Sequence, residues 1–228
     1  MKTKPQDVST PPTGAGLNTR ERVVRAASRL FQRQGYEGTG IKLIAQEAGA
    51  TLGSVYHFFP GGKEELAVAA IQYGDREFAD MLSEGLASSG DAAVAVENCA
   101  RRLATALRES DWADGCPVTA TALETLGRTP PIQQACLEAL RNWQEVLAVK
   151  FRECGFGGAD ADDLACTVLS ALEGAEVTSQ VFRSEEPLLT TGRNMARRPR
   201  LSDVLAQPAV PPTDVVVPPP RPNWESSS

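Results

Sequence analysis

The sequence has little of what catalysis and metal binding usually require. Its 228 residues contain one histidine, His57, and its five cysteines form no CxxC pair, so a zinc site of the usual spacing is not expected. There is no HExxH motif, no GxGxxG after a strand, and no recognisable Ser/His/Asp arrangement. These absences predict a protein that is not an enzyme and that uses neither a metal nor a cofactor.

Long apolar runs are also missing from the chain. No run approaches the ~20 residues that cross a bilayer, and the N-terminus lacks the apolar segment of a signal peptide. We therefore expect a cytoplasmic protein with reduced thiols and no membrane partner. Aromatic residues make up 6% and hydrophobic residues 42% of the sequence, which fits an all-α protein rich in Ala and Leu.

The charge is negative overall but unevenly distributed. The net charge is −6 for the whole chain, whereas seven basic and three acidic residues give +4 between residues 19 and 63. An acidic body with one basic end is expected of a protein that contacts phosphates locally and does not coat nucleic acid.

The basic segment carries the pattern of two short helices joined by a tight turn. Apolar residues recur at i, i+3, i+4 and i+7 in the first of them: Ile41, Ile44, Ala45 and Ala48. Gly49 follows where a helix commonly ends in the left-handed conformation, and Thr51 can cap the next helix. Val55 and Phe59 are predicted to pack inward before Pro60-Gly61-Gly62 ends that helix. Such a helix-turn-helix fits a DNA major groove.

A longer amphipathic helix is predicted before this pair, over residues 19–34. Thr19 is predicted to cap its start and Gly35 to end it. Its inward positions are Val23, Ala27, Leu30 and Phe31, and several arginines lie toward the other side. Thr39 is predicted to cap the helix that follows.

Short matches to one known family follow one another in a fixed order between Thr19 and Leu66. They are Ala26-Ala27, Leu30-Phe31, Gly35-Tyr36, Thr39, Ile44-Ala45, Ala48-Gly49, Gly53-Ser54-Val55-Tyr56, Phe59 and Lys63-Glu64-Glu65-Leu66. This ordered set resembles the DNA-binding domain of TetR-family transcriptional regulators. The resemblance implies a homodimeric regulator, most often a repressor, that binds a double-stranded DNA operator.

The residues expected at the DNA combine this resemblance with their positions on the predicted helices. They are Arg20, Thr39, Lys42, Thr51, Leu52, Gly53, Ser54, Tyr56, His57 and Lys63. By resemblance, Tyr56 and Lys63 contact phosphates, and Thr51, Leu52 and Gly53 lie nearest the base edges. Leu52 departs from the polar residue common at its position and can only touch a thymine methyl. Phe58 replaces a frequent His or Tyr, and for His57 a DNA contact and an ordinary exposed role stay open.

The remaining pattern predicts a second, larger helical domain. The expected organisation is an arm at residues 1–18, a three-helix head at 19–65, a regulatory and dimerisation domain at 66–198, and a Pro-rich disordered tail at 199–228. Helices are predicted from Lys63 to about Glu84, from an Asp91 cap to about Arg108, and from Pro117 onward. Three more are predicted over residues 131–154, 160–182 and 185–197.

Two motifs of this second domain resemble the LmrA/YxaF-like branch of the family. One runs from Trp112 to Val118 and the other from Leu172 to Ala175. In the first, Gly115 is expected to permit an unusual backbone conformation. By resemblance, the last two helices form a four-helix dimer interface, and small residues of the 160–182 helix (Ala165, Leu169, Ala171, Leu172, Gly174 and Ala175) would allow close approach.

A cavity for an apolar or aromatic effector is a further expectation. Its candidate lining residues are Leu103, Leu107, Trp112, Cys116, Val118, Leu123, Cys136, Leu140, Trp143 and Glu173. Periodicity does not separate a cavity wall from a filled core, so both interpretations stay open. Cys116 is interpreted as a small buried residue and not as a redox sensor. Glu173 is either a ligand anchor or a residue satisfied at a dimer edge.

The leading hypothesis is therefore a dimeric, sequence-specific DNA-binding repressor that is released by an unknown small-molecule effector. The alternative is a DNA-binding regulator without a small-molecule ligand, controlled by a protein partner through the Pro-rich tail.

Overall fold

The computed structural model describes residues 17–197, and these residues form nine α-helices and no strand. The predicted tail and all but the last two residues of the predicted arm lie outside that range. The helices are α1 (Thr19–Gln34), α2 (Ile41–Glu47), α3 (Leu52–Phe58), α4 (Gly62–Ala87), α5 (Ala92–Glu109), α6 (Pro117–Thr125), α7 (Pro130–Glu153), α8 (Gly158–Phe182) and α9 (Glu186–Arg197). The predicted all-α fold is confirmed.

The start of α1 differs from the prediction by one residue. Asn18, not Thr19, is the N-cap: its side chain accepts a hydrogen bond from the Glu21 amide at 2.9 Å, and Glu21 accepts one from the Asn18 amide at 3.1 Å. This reciprocal capping box satisfies two amide groups that the helix leaves free. Gly35 ends α1 with φ at 76°, as predicted.

The three-helix head is held by a small apolar centre. Val23, Ala27 and Phe31 of α1 are buried, and they pack in one cluster with residues of α2, α3 and the start of α4. Burial of these apolar side chains stabilises the packing of the three helices.

Six further helices, α4 to α9, form the body of the described residues. α4 packs against α7, α5 against α9, and α8 lies against both α7 and α9. Trp143 of α7 is fully buried beside Phe78, with ring centroids 4.2 Å apart, and its indole N–H donates to the Asp75 carbonyl at 3.1 Å. The indole is therefore both packed and hydrogen-bonded.

The loop between α5 and α6 has an unusual backbone, but not where the sequence suggested. Positive φ angles occur at Asp111 (54°) and Trp112 (67°), whereas Gly115 is not among the positive-φ residues. A Cβ atom at Gly115 would lie 2.4 Å from the Gln180 side-chain oxygen. Glycine therefore allows the end of the Gln180 side chain to approach closely, and a larger residue would require that side chain to move.

The faces of α8 also differ from the prediction. Ala165, Leu169, Leu172 and Ala175 are buried in the core of the same chain, while Gly174 is exposed. The outer face carries Cys166, Ser170, Gly174, Val177 and Val181 instead. Finally, no helix of residues 17–197 combines the length and apolar character needed to cross a membrane.

Candidate DNA-binding face

The turn between α2 and α3 is set by a single glycine. Gly49 has φ at 58°, its amide donates to the Gln46 carbonyl at 3.1 Å, and the Ala50 amide donates to the Ala45 carbonyl at 2.9 Å. These two bonds form a Schellman motif, which satisfies the last carbonyls of α2 and reverses the chain. The predicted left-handed Gly49 is confirmed.

The start of α3 is fixed by Thr51. Its hydroxyl accepts a hydrogen bond from the Ser54 amide at 3.1 Å and lies 2.9 Å from the Ser54 hydroxyl. This is the predicted N-cap, and it holds the first turn of α3 in one geometry before any ligand binds.

The two sides of α3 have opposite character. Val55 on α3 and Phe59 just after it are 0% and 1% exposed and anchor the helix to the head, as predicted. On the outer side Leu52 is 37% and Tyr56 is 50% exposed. Thr51, Gly53 and His57 are exposed as well, and Ser54 is partly exposed.

Basic side chains flank this outer side in different ways. Arg20 is exposed, with its guanidinium 5.2 Å from the centre of the Phe59 ring, and Lys42 of α2 is also exposed. Arg22, in contrast, donates from Nε to the Ala48 carbonyl at 3.1 Å. That bond ties α1 to the end of α2, so Arg22 serves the fold of the head.

Thr39 does not take the position predicted for it. It is fully buried, its hydroxyl lies 2.7 Å from the Gly35 carbonyl, and it accepts a hydrogen bond from the Gln34 side chain at 3.2 Å. The N-cap of α2 is Gly40, without a side-chain hydrogen bond. The prediction of a capping, phosphate-facing hydroxyl was wrong because this hydroxyl is needed to close the α1–α2 turn.

Lys63 and Phe58 are both turned partly inward. The Lys63 ammonium lies 4.1 Å from the centre of the Tyr36 ring, and burial lowers the pKa of Lys63, against the opposing effect of Glu37 and Glu124. Phe58 is partly buried and meets His57 edge-on, with ring centroids 5.2 Å apart. Lys63 must therefore leave its aromatic partner, or extend from it, to reach a phosphate.

The residues predicted to line an effector cavity are mostly packed core. Leu107, Val118, Cys136 and Trp143 are at most 2% exposed, Leu103 and Cys116 are 6% and 8% exposed, and Trp112, Leu140 and Glu173 are partly buried. Leu123 is 71% exposed, so its assignment to the lining was wrong. It lies on the outer side of α6, a short helix whose inward face the sequence pattern does not define.

A buried polar cluster joins the start of α6 to α8. The Thr119 hydroxyl donates to Glu173 Oε2 at 2.6 Å, and the Thr119 amide donates to Cys116 Sγ at 3.4 Å. Glu176, one turn beyond Glu173, is 6% exposed. Glu173 thus contacts α6 of its own chain, and its two predicted roles, ligand anchor or residue at a dimer edge, stay predictions.

Burial dominates the protonation of this cluster. It raises the pKa of Glu176 to about 8, with a further contribution from Glu173. Burial also raises the pKa of Glu173, against hydrogen bonds from Thr119 and Cys116. The pKa of the Cys116 thiol is raised well above its usual range by burial and then by both carboxylates, which makes it a poor nucleophile and disfavours a redox role.

Glu176 had no place among the residues predicted from the sequence. The signal was present, because Leu172, Ala175, Glu176 and Ser179 follow the i, i+3, i+4, i+7 pattern of the buried face of α8. Acidic residues are rarely buried without a partner, so a glutamate on a buried helix face indicates a special role.

Three polar contacts connect the head to α6 and to the loops on either side of it. Arg33 of α1 pairs with Asp114 at 2.5 Å, and Glu124 of α6 accepts a hydrogen bond from the Glu37 amide at 2.8 Å. Arg128, just after α6, pairs with the Glu37 carboxylate at 3.4 Å. A movement of α6 would therefore change the contacts that the end of α1 and the turn after it make with the body.

Known families match both parts of this arrangement. Residues 23–70 match the model of bacterial regulatory proteins of the tetR family. Residues 92–194 match the C-terminal domain of LmrA/YxaF-like transcriptional regulators. The helix-turn-helix head and the helical body together define a TetR-family regulator of transcription. Such a regulator binds DNA and is not an enzyme.

The chain belongs to this family, and its second domain places it in the LmrA/YxaF-like branch. It is 35% identical to the HTH-type transcriptional regulator YxaF of Bacillus subtilis over 172 residues, 75% of this chain and 90% of YxaF. It is 33% identical to LmrA of the same organism, over 75% of this chain and 92% of LmrA. A crystal structure of regulatory protein TetR from Rhodobacter sphaeroides superposes with a TM-score of 0.70 at 25% identity, covering 78% of this chain and 97% of that one.

Proposed function

We propose that this protein is a dimeric repressor that reads its operator with α3 and acts in the cytoplasm. The observation that carries the proposal is the outer side of α3, where Leu52 and Tyr56 project from a helix whose inner side is locked by Val55 and Phe59. In this proposal Thr51, Leu52 and Gly53 face base edges in the major groove, and Ser54, Tyr56 and His57 extend the contact.

Phosphate contacts would come from the basic side chains around α3. Arg20 and Lys42 are already exposed, and Lys63 lies next to the same surface on the Tyr36 ring. Because phosphate contacts release counterions, each such contact adds affinity that falls with salt. Occupation of DNA is sufficient for repression, whereas activation requires a further surface for the transcription machinery.

The outer face of α8 supports a dimer. Val177, Val181 and Phe182 are 50%, 74% and 68% exposed, and they adjoin the small residues Ser170 and Gly174 on the same face. Small residues let two helices approach closely, and apolar ones gain from leaving water. A two-fold pair of chains would present two α3 helices, which must lie ~34–36 Å apart to enter successive major grooves.

Release of the repressor from DNA would begin with a movement of α6, because α6 contacts both the body and the base of the head. An effector that binds one head spacing better than another lowers DNA affinity by that difference in binding free energy. A small apolar or aromatic effector at Leu103, Leu107 and Trp112 would have to displace packed side chains. Its binding would therefore require movement of α6.

The filled core also favours a second candidate function. If Leu107, Val118 and Trp143 stay packed in every state, control would come from a protein partner and not from a small molecule. A panel of aromatic compounds separates the two candidates. A true effector raises the melting temperature of the free protein and releases it from DNA, whereas a partner-controlled regulator shows neither change.

The operator and the dimer can be tested together by selection from a random-sequence DNA pool. The proposal expects enrichment of a two-fold symmetric sequence whose half-sites are about 10–10.5 base pairs apart, or a multiple of that spacing. Val177→Glu places a charge on the proposed dimer face and should give monomers that enrich no such sequence. Val149→Glu, at a residue 43% exposed on α7, is the matched control. A wild-type protein that enriches nothing, or a Val177→Glu protein that remains dimeric, would contradict the proposal.

A further inference from the structure

The start of α6 and the middle of α8 bring a thiol and two carboxylates together. Cys116 Sγ and one oxygen each from Glu173 and Glu176 all lie within 4.8 Å of one another. Glu173 and Glu176 are three residues apart on α8 and so project from the same face. Cys116 reaches them from the N-cap position of α6, where its backbone is fixed by Pro117.

This cluster is not satisfied by the protein itself. Glu176 is 6% exposed, its carboxylate points toward the other two groups, and residues 17–197 supply it with no hydrogen bond or ion pair. Glu173 Oε1 is likewise buried and has no hydrogen-bond partner in that part of the chain. A buried carboxylate oxygen without a donor is unfavourable, and Glu173 Oε1 lies beside the Glu176 carboxyl group, which has no protein partner either, so the cluster is suited to a ligand.

We propose that Cys116, Glu173 and Glu176 bind a divalent cation that accepts both sulfur and oxygen ligands, of which Zn²⁺ is the representative. A thiolate selects against Mg²⁺ and Ca²⁺, which prefer oxygen alone, and two carboxylates select against the softest ions. Three protein ligands with a fourth position open to water is a common zinc arrangement.

The size of the site favours an ion over an organic cation. Zn–S and Zn–O bonds of about 2.3 Å and 2.0 Å bring sulfur and oxygen roughly 3.5 Å apart. The three groups need only a small inward movement to reach that separation. An amine with a carbon skeleton would also have to displace the side chains packed around Cys116, which is itself 8% exposed.

The ion would add a bond between the start of α6 and α8, which already meet through the hydrogen bond from Thr119 to Glu173. The sequence offered no sign of this site, because its three residues lie 57 and 3 positions apart and match no metal-binding spacing. The proposal therefore replaces the expectation of a protein without a metal site.

Cobalt provides a direct test, since Co²⁺ takes zinc positions and a Co²⁺–thiolate bond has an intense near-ultraviolet charge-transfer band. The full chain, purified without a histidine tag and stripped with chelator, is titrated with Co²⁺ and then with Zn²⁺. We expect the band to saturate at one Co²⁺ per chain and to be displaced by one equivalent of Zn²⁺.

Variants then locate the site. Cys116→Ser should abolish the band, and Glu176→Gln should weaken Co²⁺ binding at least tenfold while the thiolate band remains detectable at high metal. Cys166→Ser removes an exposed thiol of α8 and should leave the titration unchanged. Circular dichroism confirms that each variant is folded. Absence of the band in the folded wild type, or its loss with Cys166→Ser and not with Cys116→Ser, would overturn the proposal.

Discussion

The outer side of α3 and the junction of α6 with α8 place polar groups in opposite surroundings. Thr51, Tyr56 and His57 stand in solvent on a helix that is already capped and anchored. Glu173 and Glu176 are withdrawn from water, and part of their hydrogen-bonding capacity is unmet. An exposed polar group is hydrogen-bonded to water and does not destabilise the fold. A buried polar group destabilises the fold unless it has a hydrogen-bond partner or a ligand. The candidate DNA-binding face is therefore preformed, and the junction is where ligand binding or protonation is expected to change the free energy of unfolding.

The largest effect should come from removing core packing in the body, where α7 meets α4. Trp143→Ala should lower the free energy of unfolding by about 3–5 kcal/mol, because it deletes a fully buried indole and its hydrogen bond to Asp75. Chemical unfolding followed by circular dichroism measures this, with Leu126→Ala, at a residue 67% exposed, as the control. A loss below about 1 kcal/mol would show that Trp143 borders an open cavity and not a filled core.

The free energy of unfolding, measured as a function of pH, should show how strongly the buried carboxylates destabilise the fold when they ionise. Folded Glu176 keeps its proton up to a pKa of about 8, whereas an unfolded glutamate releases it near ~4.3, so the folded state binds more protons between these values. The free energy of unfolding of metal-free protein should therefore fall as pH rises from about 5 to about 8, by about 1 kcal/mol per pH unit.

Glu176→Gln should flatten this dependence, because the amide does not titrate. Glu186→Gln is the control: the pKa of Glu186 is lowered, chiefly by a hydrogen bond from Thr190, so its contribution is lost only at acid pH, below this window. An unchanged slope in Glu176→Gln would place the titrating group elsewhere.

In the head, single substitutions should lower the free energy of unfolding by less than substitutions in the body do. Asn18→Ala removes the cap of α1 and should lower the free energy of unfolding by about 1 kcal/mol. Thr19→Ala, one residue later, removes no cap and should change it by less than half as much. If Thr19→Ala proved the more costly change, the capping box at Asn18 would be wrong.

The smallest effect is expected where head and body meet at the surface. Arg33 and Asp114 are 52% and 29% exposed, so Arg33→Ala should change stability by at most about 1 kcal/mol. A double-mutant cycle with Asp114→Ala isolates the pair. A coupling free energy above about 2 kcal/mol would mean that the head depends on the body for its fold.

The features that were predicted correctly from the sequence depend on residues close together in the chain. The periodicity of Ile44 and Val55 and the turn residue Gly49 act within a few positions, so α2, α3 and their inner sides were predicted correctly. Thr39 was wrong because the same hydroxyl that can cap a helix can also close the turn before it. Only the tertiary position of α1 decides between the two.

The junction could not be predicted because contacts between distant segments determine it. Glu176 lies within 4.8 Å of Cys116 Sγ, which is sixty positions earlier in the chain, and Leu123 is exposed because α6 turns its other side to α7. Neither fact follows from the pattern of α8 or α6 alone. The motif around Cys116 did indicate that this region was unusual, and the close approach at Gly115 gives that indication a physical cause.

The most direct test of the central claim is the affinity of purified protein for its selected operator, measured by fluorescence anisotropy across a range of salt concentrations. Tyr56→Ala should keep its fold, since Tyr56 is 50% exposed, and should weaken binding about tenfold or more through loss of a hydrogen bond to a charged phosphate. Leu126→Ala, on the body, should bind as wild type. Equal affinity of wild type and Tyr56→Ala at every salt concentration would contradict the assignment of the outer side of α3 as the surface that binds DNA.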